Sequence, residues 1–260
     1  MIDRKHAEAA FRNYISGYDI ENRMIKLKVE HTLRVAGNCE LIARSLQMSE
    51  ELVDFAWFLG LLHDIGRFEQ IRRYGTFVDA DSVDHAEFGA DLLFNENLIK
   101  EFLSCSISEE WLSLLEISIR LHNKLDLPEE IDKRTRRFCE LIRDADKVDI
   151  FRVVCETPFE ERMGTSVGMI QEAEAANGAV MRCVLQHRCI PREIRKTRFE
   201  VHISHCSMAF ELVFPESKKL AAEQGYLEKL LREYDEDGKA LWKEKELEQL
   251  RILKNEIGKV

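Results

Sequence analysis

The sequence predicts an all-α fold, and three observations carry that reading. Only four prolines and twelve glycines punctuate the 260 residues. Between them the apolar residues recur mostly at spacings of three and four, the period of a helix with one buried face. Capping residues stand where the periodic segments begin. With 45% apolar residues the chain can also bury a sizeable core. No repeat or low-complexity segment interrupts the pattern.

Taken in order, a first long helix is expected over about 21–46, where Leu27, His31 and Val35 share a face and direct His31 at the core. Ser49 caps a second, with Glu50 and Glu51 in its first turn. Its run from Leu52 to Leu62, apolar apart from Asp54, ends on adjacent His63 and Asp64, and Gly66 is expected to close it. Residues 67–83, rich in Arg and Asp, read as a loop with a short helical turn. Asp84-His85-Ala86-Glu87 has the form of a capping box, opening a helix through about Asn95 with Phe88, Leu92 and Leu93 inward. A further helix starts after Ser108, passes Trp111, Leu115 and Ile119, and places His122 in its last turn before Pro128.

From about 132 to 155 a long helix gives Leu141, Ile142, Ala145, Asp146 and Asp149 one broad face, so Asp146 is presented inward. Helices are expected at 166–176 and 178–187, then a β-branched stretch at Thr197–Ile203, then helices to the end. The spacing of Leu247, Leu250, Lys254 and Ile257 among paired Lys and Glu suits a solvated packing helix. The expected organisation is a helical core over 1–160 and a mostly helical extension over 161–260, packed on that core as one structural unit.

The formal charge of -10 argues against an extended phosphate-backbone interface, which needs a basic face to displace counterions. A nucleic-acid scaffold is therefore not an expected partner. The opening MIDRKHAEAAFRNYISGYD has no signal-peptide pattern, and Leu52–Leu62 is too short to span a bilayer. A cytoplasmic protein without a membrane partner is the expectation. The seven cysteines form no CxxC pair, which suggests neither a disulfide framework nor a zinc ribbon. Cys183, His187, Cys189, His202, His205 and Cys206 cluster in the sequence, but their spacings match no common zinc knuckle.

The chemistry gathers at His31, His63, Asp64, His85, His122 and Asp146. A lone inward histidine is usually a core side chain with one satisfied hydrogen bond. Several imidazoles and two carboxylates converging in one bundle are costly to leave unpaired in low dielectric, and helical bundles build metal sites in this way.

The order His31, His63-Asp64, Asp146 resembles the H…HD…D signature of the HD-domain superfamily of metal-dependent phosphohydrolases. The surrounding words "VEHTLRVA", "LGLLHDIGRFEQ", "TFVDADSVDHAEFGADLL", "IRLHNK" and "RDADKVDIF" look like those of small bacterial stand-alone HD hydrolases. "EQGYLEKLL" in the tail resembles the helical extension such proteins carry. The resemblance implies an HD-domain helical bundle with a C-terminal helical extension. It implies a primary ion held by His31, His63, Asp64 and Asp146, with His85 and His122 as the further histidines of the binuclear subgroup and Asp64 bridging both ions. Imidazole and carboxylate ligands without thiolate suit one or two divalent ions such as Mn, Fe, Ni, Mg or Zn. Water activated by such ions attacks a phosphate, so no side-chain nucleophile is required.

Around this set Asp64, Arg67 and Lys124 are the candidate catalytic residues. Arg67, Arg72, Arg73, Lys124 and Lys147 are the candidate contacts of an anionic substrate, for which a guanidinium fork is well suited. Glu69 is placed to orient a ligand or a water, and Asp149, one turn after Asp146, to hold a ligand histidine. Each is also credible as an ordinary surface charge. The leading expectation is a phosphohydrolase acting on a small phosphorylated substrate, of nucleotide type. The alternative is an HD-type mixed-valent di-iron oxygenase, which shares the six-ligand set but tends to carry lysine where this chain has Arg67. A metal-stabilised nucleotide-binding module is the third. Degradation of (p)ppGpp is less favoured, because that family typically follows its motif with an acidic pair where this chain has Arg67-Phe68.

Overall fold

A computed structural model describes residues 2–159 and 175–260, and the regular elements in them are helical, isolated bridge residues such as the antiparallel pair Tyr234 and Ala240 aside. The chain divides into two compact units, Met1–Asp149 and Ile150–Val260.

The first unit opens with α1 (Arg4–Ser16), an element the sequence reading did not anticipate, started by the Asp3 carboxylate accepting from the His6 N–H. Next comes α2 (Arg23–Ser45), capped by Asn22, which buries His31 and Val35 as expected, leaves Leu27 half-buried, and also buries Cys39 and Ile42. Ser49 caps α3 (Glu50–Leu62), where every residue from Phe55 to Leu62 is buried. The two helices approach closely at Gly60: a Cβ there would lie 2.6 Å from the Ala36 Cα. Only a residue without Cβ permits that approach. It brings the His63 end of α3 beside α2, and the rings of His31 and His63 lie 5.4 Å apart.

At His63 the structure corrects the sequence reading. Gly66 does not close the helix, and 67–83 is not wholly a loop. The chain breaks only at Asp64, then resumes as α4 (Ile65–Tyr74). Gly66 lies inside α4, where a Cβ would stand 2.6 Å from the His85 carbonyl oxygen and 2.7 Å from the Gly89 nitrogen. It is a glycine of close approach. The true terminator is Gly75, with φ +68° and its N–H bonded to the Ile71 carbonyl. The charges that suggested a loop are helix-spaced: Arg72 and Arg73 both pair with Glu69, three and four residues back. Phe68 and Ile71 supply the buried face.

After a short turn at Asp79–Asp81, Asp84 caps α5 (His85–Ala90) by accepting from the N–H groups of Ala86 and Glu87. Glu87 pairs with Arg120. The helix runs on through one π turn, Asp91–Asn95, to the length expected from the sequence. Then follow α6 (Ile99–Phe102), α7 (Glu109–Leu121) and α8 (Lys133–Glu156). The Asn38 amide donates to the Ala145 carbonyl at 3.1 Å, tying α2 to α8 beside Asp146. Arg143 donates to the carbonyls of Lys124 and Leu125, fixing the turn just after His122.

The second unit holds α9 (Gly178–Leu185), α10 (Arg198–Ser207), α11 (Pro215–Gln224), α12 (Tyr226–Leu230) and α13 (Glu244–Ile257). The β-branched stretch Thr197–Ile203 lies almost wholly within α10. A complete capping box between Thr197 and Glu200 overrides its strand propensity. The helix expected at 166–176 falls largely outside the described residues. Of the clustered histidines here, His187 pairs with Glu256 at 2.7 Å and His202 Nε2 donates to the Leu230 carbonyl at 2.8 Å. Among the described residues no helix is long and apolar enough to cross a membrane.

Candidate metal centre

Four histidines from α2, the end of α3, the start of α5 and the end of α7 meet inside the first unit, and in each one Nδ1 is committed. His63 Nδ1 lies 2.7 Å from the Gly60 carbonyl and His122 Nδ1 2.7 Å from the Ile119 carbonyl. Both use the carbonyl three residues back, near the end of a helix whose last turn leaves acceptors free. His31 Nδ1 lies 2.8 Å from Asp149 Oδ2, and His85 Nδ1 2.6 Å from Asp79 Oδ2. Carbonyls and carboxylates only accept, so each Nδ1 carries the ring proton. Each Nε2 of the neutral ring is then a bare lone pair.

Those lone pairs converge on two carboxylates. Asp64 is split between two groups. Its Oδ2 lies 3.5 Å from His31 Nε2 and 3.7 Å from His63 Nε2, while its Oδ1 lies 3.5 Å from His85 Nε2 and 3.8 Å from His122 Nε2. Asp146 Oδ1 lies 3.0 Å from His31 Nε2 and 3.8 Å from His63 Nε2. In overlapping triads the six residues place their ligand atoms within 4.8 Å of one another. Nitrogen and oxygen ligands at about 2.1 Å from a shared divalent ion stand about 3.0–3.5 Å apart. Buried without any hydrogen-bond partner, His31 Nε2 and His63 Nε2 are the orphaned acceptors an ion would satisfy. The donor set therefore fits divalent metal.

The electrostatics agree. Burial, with the Arg67 charge, pushes His85 down to about 4 against the pull of Asp79 and Asp64. Burial and the neighbouring His63 push His122 down to about 4. His63 is lowered by burial as well. His31 moves the other way: burial and Lys28 oppose its charge, but Asp146 and Asp149 prevail and raise it. For Asp64 burial disfavours ionisation, yet Lys28, His63, Arg67 and His85 hold the carboxyl well below the usual carboxylate range. Asp146 is held low by His31, His63 and His122 against the same burial. Ionised carboxylates beside the neutral imidazoles of His63, His85 and His122 are the protonation states that metal ligation needs, and His31 is the exception among the four.

The other residues singled out from the sequence are placed as follows. Asp149 holds His31, as its spacing suggested, and accepts from Arg34 Nε at 2.6 Å. Arg67 is largely buried. Its Nη1 donates to Gln70, the Phe77 carbonyl and Asp79 at 2.7–2.8 Å, and its Nε lies 3.6 Å from Asp64 Oδ1. Lys124 pairs with Asp84 at 2.6 Å and Glu87 at 3.4 Å. Lys147 is buried on α8 next to Asp146. Arg72 and Arg73 are exposed, and both pair with Glu69 over the rings of Tyr18 and Phe88. Buried Glu69 thus gathers arginines and the Tyr18 hydroxyl, with no contact to a ligand histidine.

Sequence reasoning missed Asp79 and Lys28. Asp79 lies in an acidic loop with no helical register to assign its direction, although its place six residues before His85 is a usable signal. Lys28 Nζ lies 2.6 Å from Asp64 Oδ2. It sits on the His31 face of α2, one turn earlier, but only the nearness of Asp64 separates it from a surface lysine.

Residues 29–150 match the family model described as HD domain. No curated protein and no solved structure matches the chain.

Proposed function

We propose that this chain is a metal-dependent phosphohydrolase that hydrolyses a phosphate ester of a nucleotide or another small molecule, a reading that the match of residues 29–150 to the HD domain model supports. The observation that carries the reading is the convergence of four bare Nε2 lone pairs on the split carboxylate of Asp64. His31, His63, Asp64 and Asp146 would hold one divalent ion, and Asp64, His85 and His122 a second. Such ions supply Lewis-acid activation of water and neutralise charge on a phosphoryl group.

What the chain itself contributes is orientation. Asp149, Asp79 and the carbonyls of Gly60 and Ile119 fix all four imidazoles in one tautomer, with Nε2 turned to the ligand face. Asp64, held ionised, presents one oxygen to each half of the cluster. Arg67 anchors Asp79 and so, through it, His85. The acidic balance of the chain favours a small phosphorylated substrate over a nucleic-acid scaffold. A cytoplasmic location belongs to the same proposal.

The test is turnover. Protein reconstituted separately with Mn, Fe, Ni, Mg or Zn is assayed against a nucleotide panel and generic phosphate esters. Hydrolysis with at least one ion is expected. No turnover with any of them overturns the reading, and oxygen uptake by the iron-loaded protein transfers it to the oxygenase class, whose ligand set is the same.

A further inference from the structure

The six ligand residues do not account for two cations in the centre. The ammonium of Lys28 lies 2.6 Å from Asp64 Oδ2, the oxygen that also faces His31 and His63. On the other side of the same carboxylate, Arg67 Nε lies 3.6 Å from Oδ1 and is buried with no hydrogen-bond partner. A single ring borders both: the Lys28 ammonium is 5.7 Å and the Arg67 guanidinium 5.6 Å from the centroid of Phe77. Arg67 is rigid, because its Nη1 is spent on Gln70, the Phe77 carbonyl and Asp79. Lys28 is confined as well, with its side chain 14% exposed.

Two cations so close to a carboxylate that is also built to bind divalent ions are placed against their own repulsion. An ammonium a few ångströms from a dication is unfavourable unless an anion lies between them. A desolvated guanidinium N–H without an acceptor is costly for the same reason. One multiply charged anion satisfies both groups. We propose that Lys28 and Arg67 Nε, held by Phe77, contact the phosphoryl oxygens of the substrate and favour a doubly charged phosphate monoester over a singly charged diester or a neutral polyol. The proposal rests on the phosphohydrolase reading above.

The experiment uses full-length, metal-loaded protein with inorganic phosphate as the probe, followed by calorimetry, alongside metal content and the relative hydrolysis of p-nitrophenyl phosphate and bis(p-nitrophenyl) phosphate. Lys28→Met is expected to keep its full metal content. It should lose about tenfold to a hundredfold in phosphate affinity, the loss of one charge-assisted hydrogen bond, and should lose its preference for the monoester. Lys28→Arg should restore phosphate binding. Phe77→Leu, which keeps the charges and loosens both of them, should weaken phosphate binding by a smaller factor.

Unchanged phosphate affinity in Lys28→Met overturns the proposal. So does loss of metal together with phosphate, which would make Lys28 a positioning residue for Asp64. Tighter metal binding with unaltered phosphate affinity would also overturn it, leaving Lys28 as a counter-ion of the metal-free site. If the wild-type protein binds metal yet neither binds phosphate nor hydrolyses any ester, the phosphohydrolase reading falls along with it. If the wild type hydrolyses esters and Lys28→Met binds phosphate equally well, only the clamp falls.

Discussion

The Nε2 atoms of His85 and His122 lie 3.1 Å apart, and neither ring has a proton left to put between them. Both ring protons are given away at Nδ1, to Asp79 and to the Ile119 carbonyl. Two lone pairs facing each other in a buried site are unfavourable without metal, yet burial and the neighbouring positive charges keep protons off both rings. The metal-free protein should therefore be markedly sensitive to acid. The unfolded chain protonates these imidazoles from about pH 6.5 downward, whereas in the folded chain both wait until about 4. Between those values the unfolded state binds more protons, so stability falls as pH falls, by about 3 kcal/mol for each histidine. His31, raised in the fold, offsets part of this. Thermal melts in chelator from pH 8 to pH 4 should show the midpoint falling through that window, with saturating divalent metal flattening the upper part of the curve.

The two groups of ligands have separate outer supports and should be separable by mutation. Asp79 orients His85 alone, and Asp149 orients His31 alone. Asp79→Asn should weaken the second ion by about 10–100-fold and leave the first in place. Asp149→Asn should do the reverse. Metal content and competitive metal titration read both outcomes.

His63→Ala should lose the ion of the first group. Asp64→Ala should lose both ions and all hydrolysis, since its two oxygens serve both groups. Elemental analysis after dialysis measures this, and a variant that keeps its full metal content would contradict the assignment.

Gly66→Ala should be costly far beyond an ordinary helix substitution. The added carbon would meet backbone atoms of His85 and Gly89 at 2.6–2.8 Å, and backbone cannot step aside as a flexible side chain can. A loss of about 1–3 kcal/mol or more is expected, together with weakened binding of the second ion, because α5 must retreat and takes His85 with it. Denaturant titration gives the first quantity and metal titration the second.

Much of the fold and of the candidate ligand set is legible in the sequence because helical periodicity and chemistry coincide at those positions. His31 shares a face with Leu27 and Val35, Asp146 shares one with Ile142 and Ala145, and His63 and His122 end apolar helices. A residue fixed by helical register can be assigned a direction from its neighbours. Asp79 and Lys28 escape that logic for different reasons: Asp79 sits in a loop without register, and Lys28 is indistinguishable from a surface lysine until Asp64 stands beside it. The part of α4 from 67 to 74 reads as a loop because its ion pairs are internal. A run of charges passes for a solvated one when its pairing is not counted. At Thr197–Ile203 β-branched content masks a capping signal that is present in the sequence.

The single carboxylate of Asp64 between two separately buttressed halves has a consequence for how such a centre can diversify. Any change at Asp64 is paid for in both halves at once, so that position has no graded intermediates. Asp79 and Asp149 lie outside the ligand set and each speaks to one histidine, so ion preference in either half can drift without dismantling the other. Descendants of this chain with altered metal preference should carry their changes at those two buttresses and in the helix ends around them, with the ligands themselves left untouched.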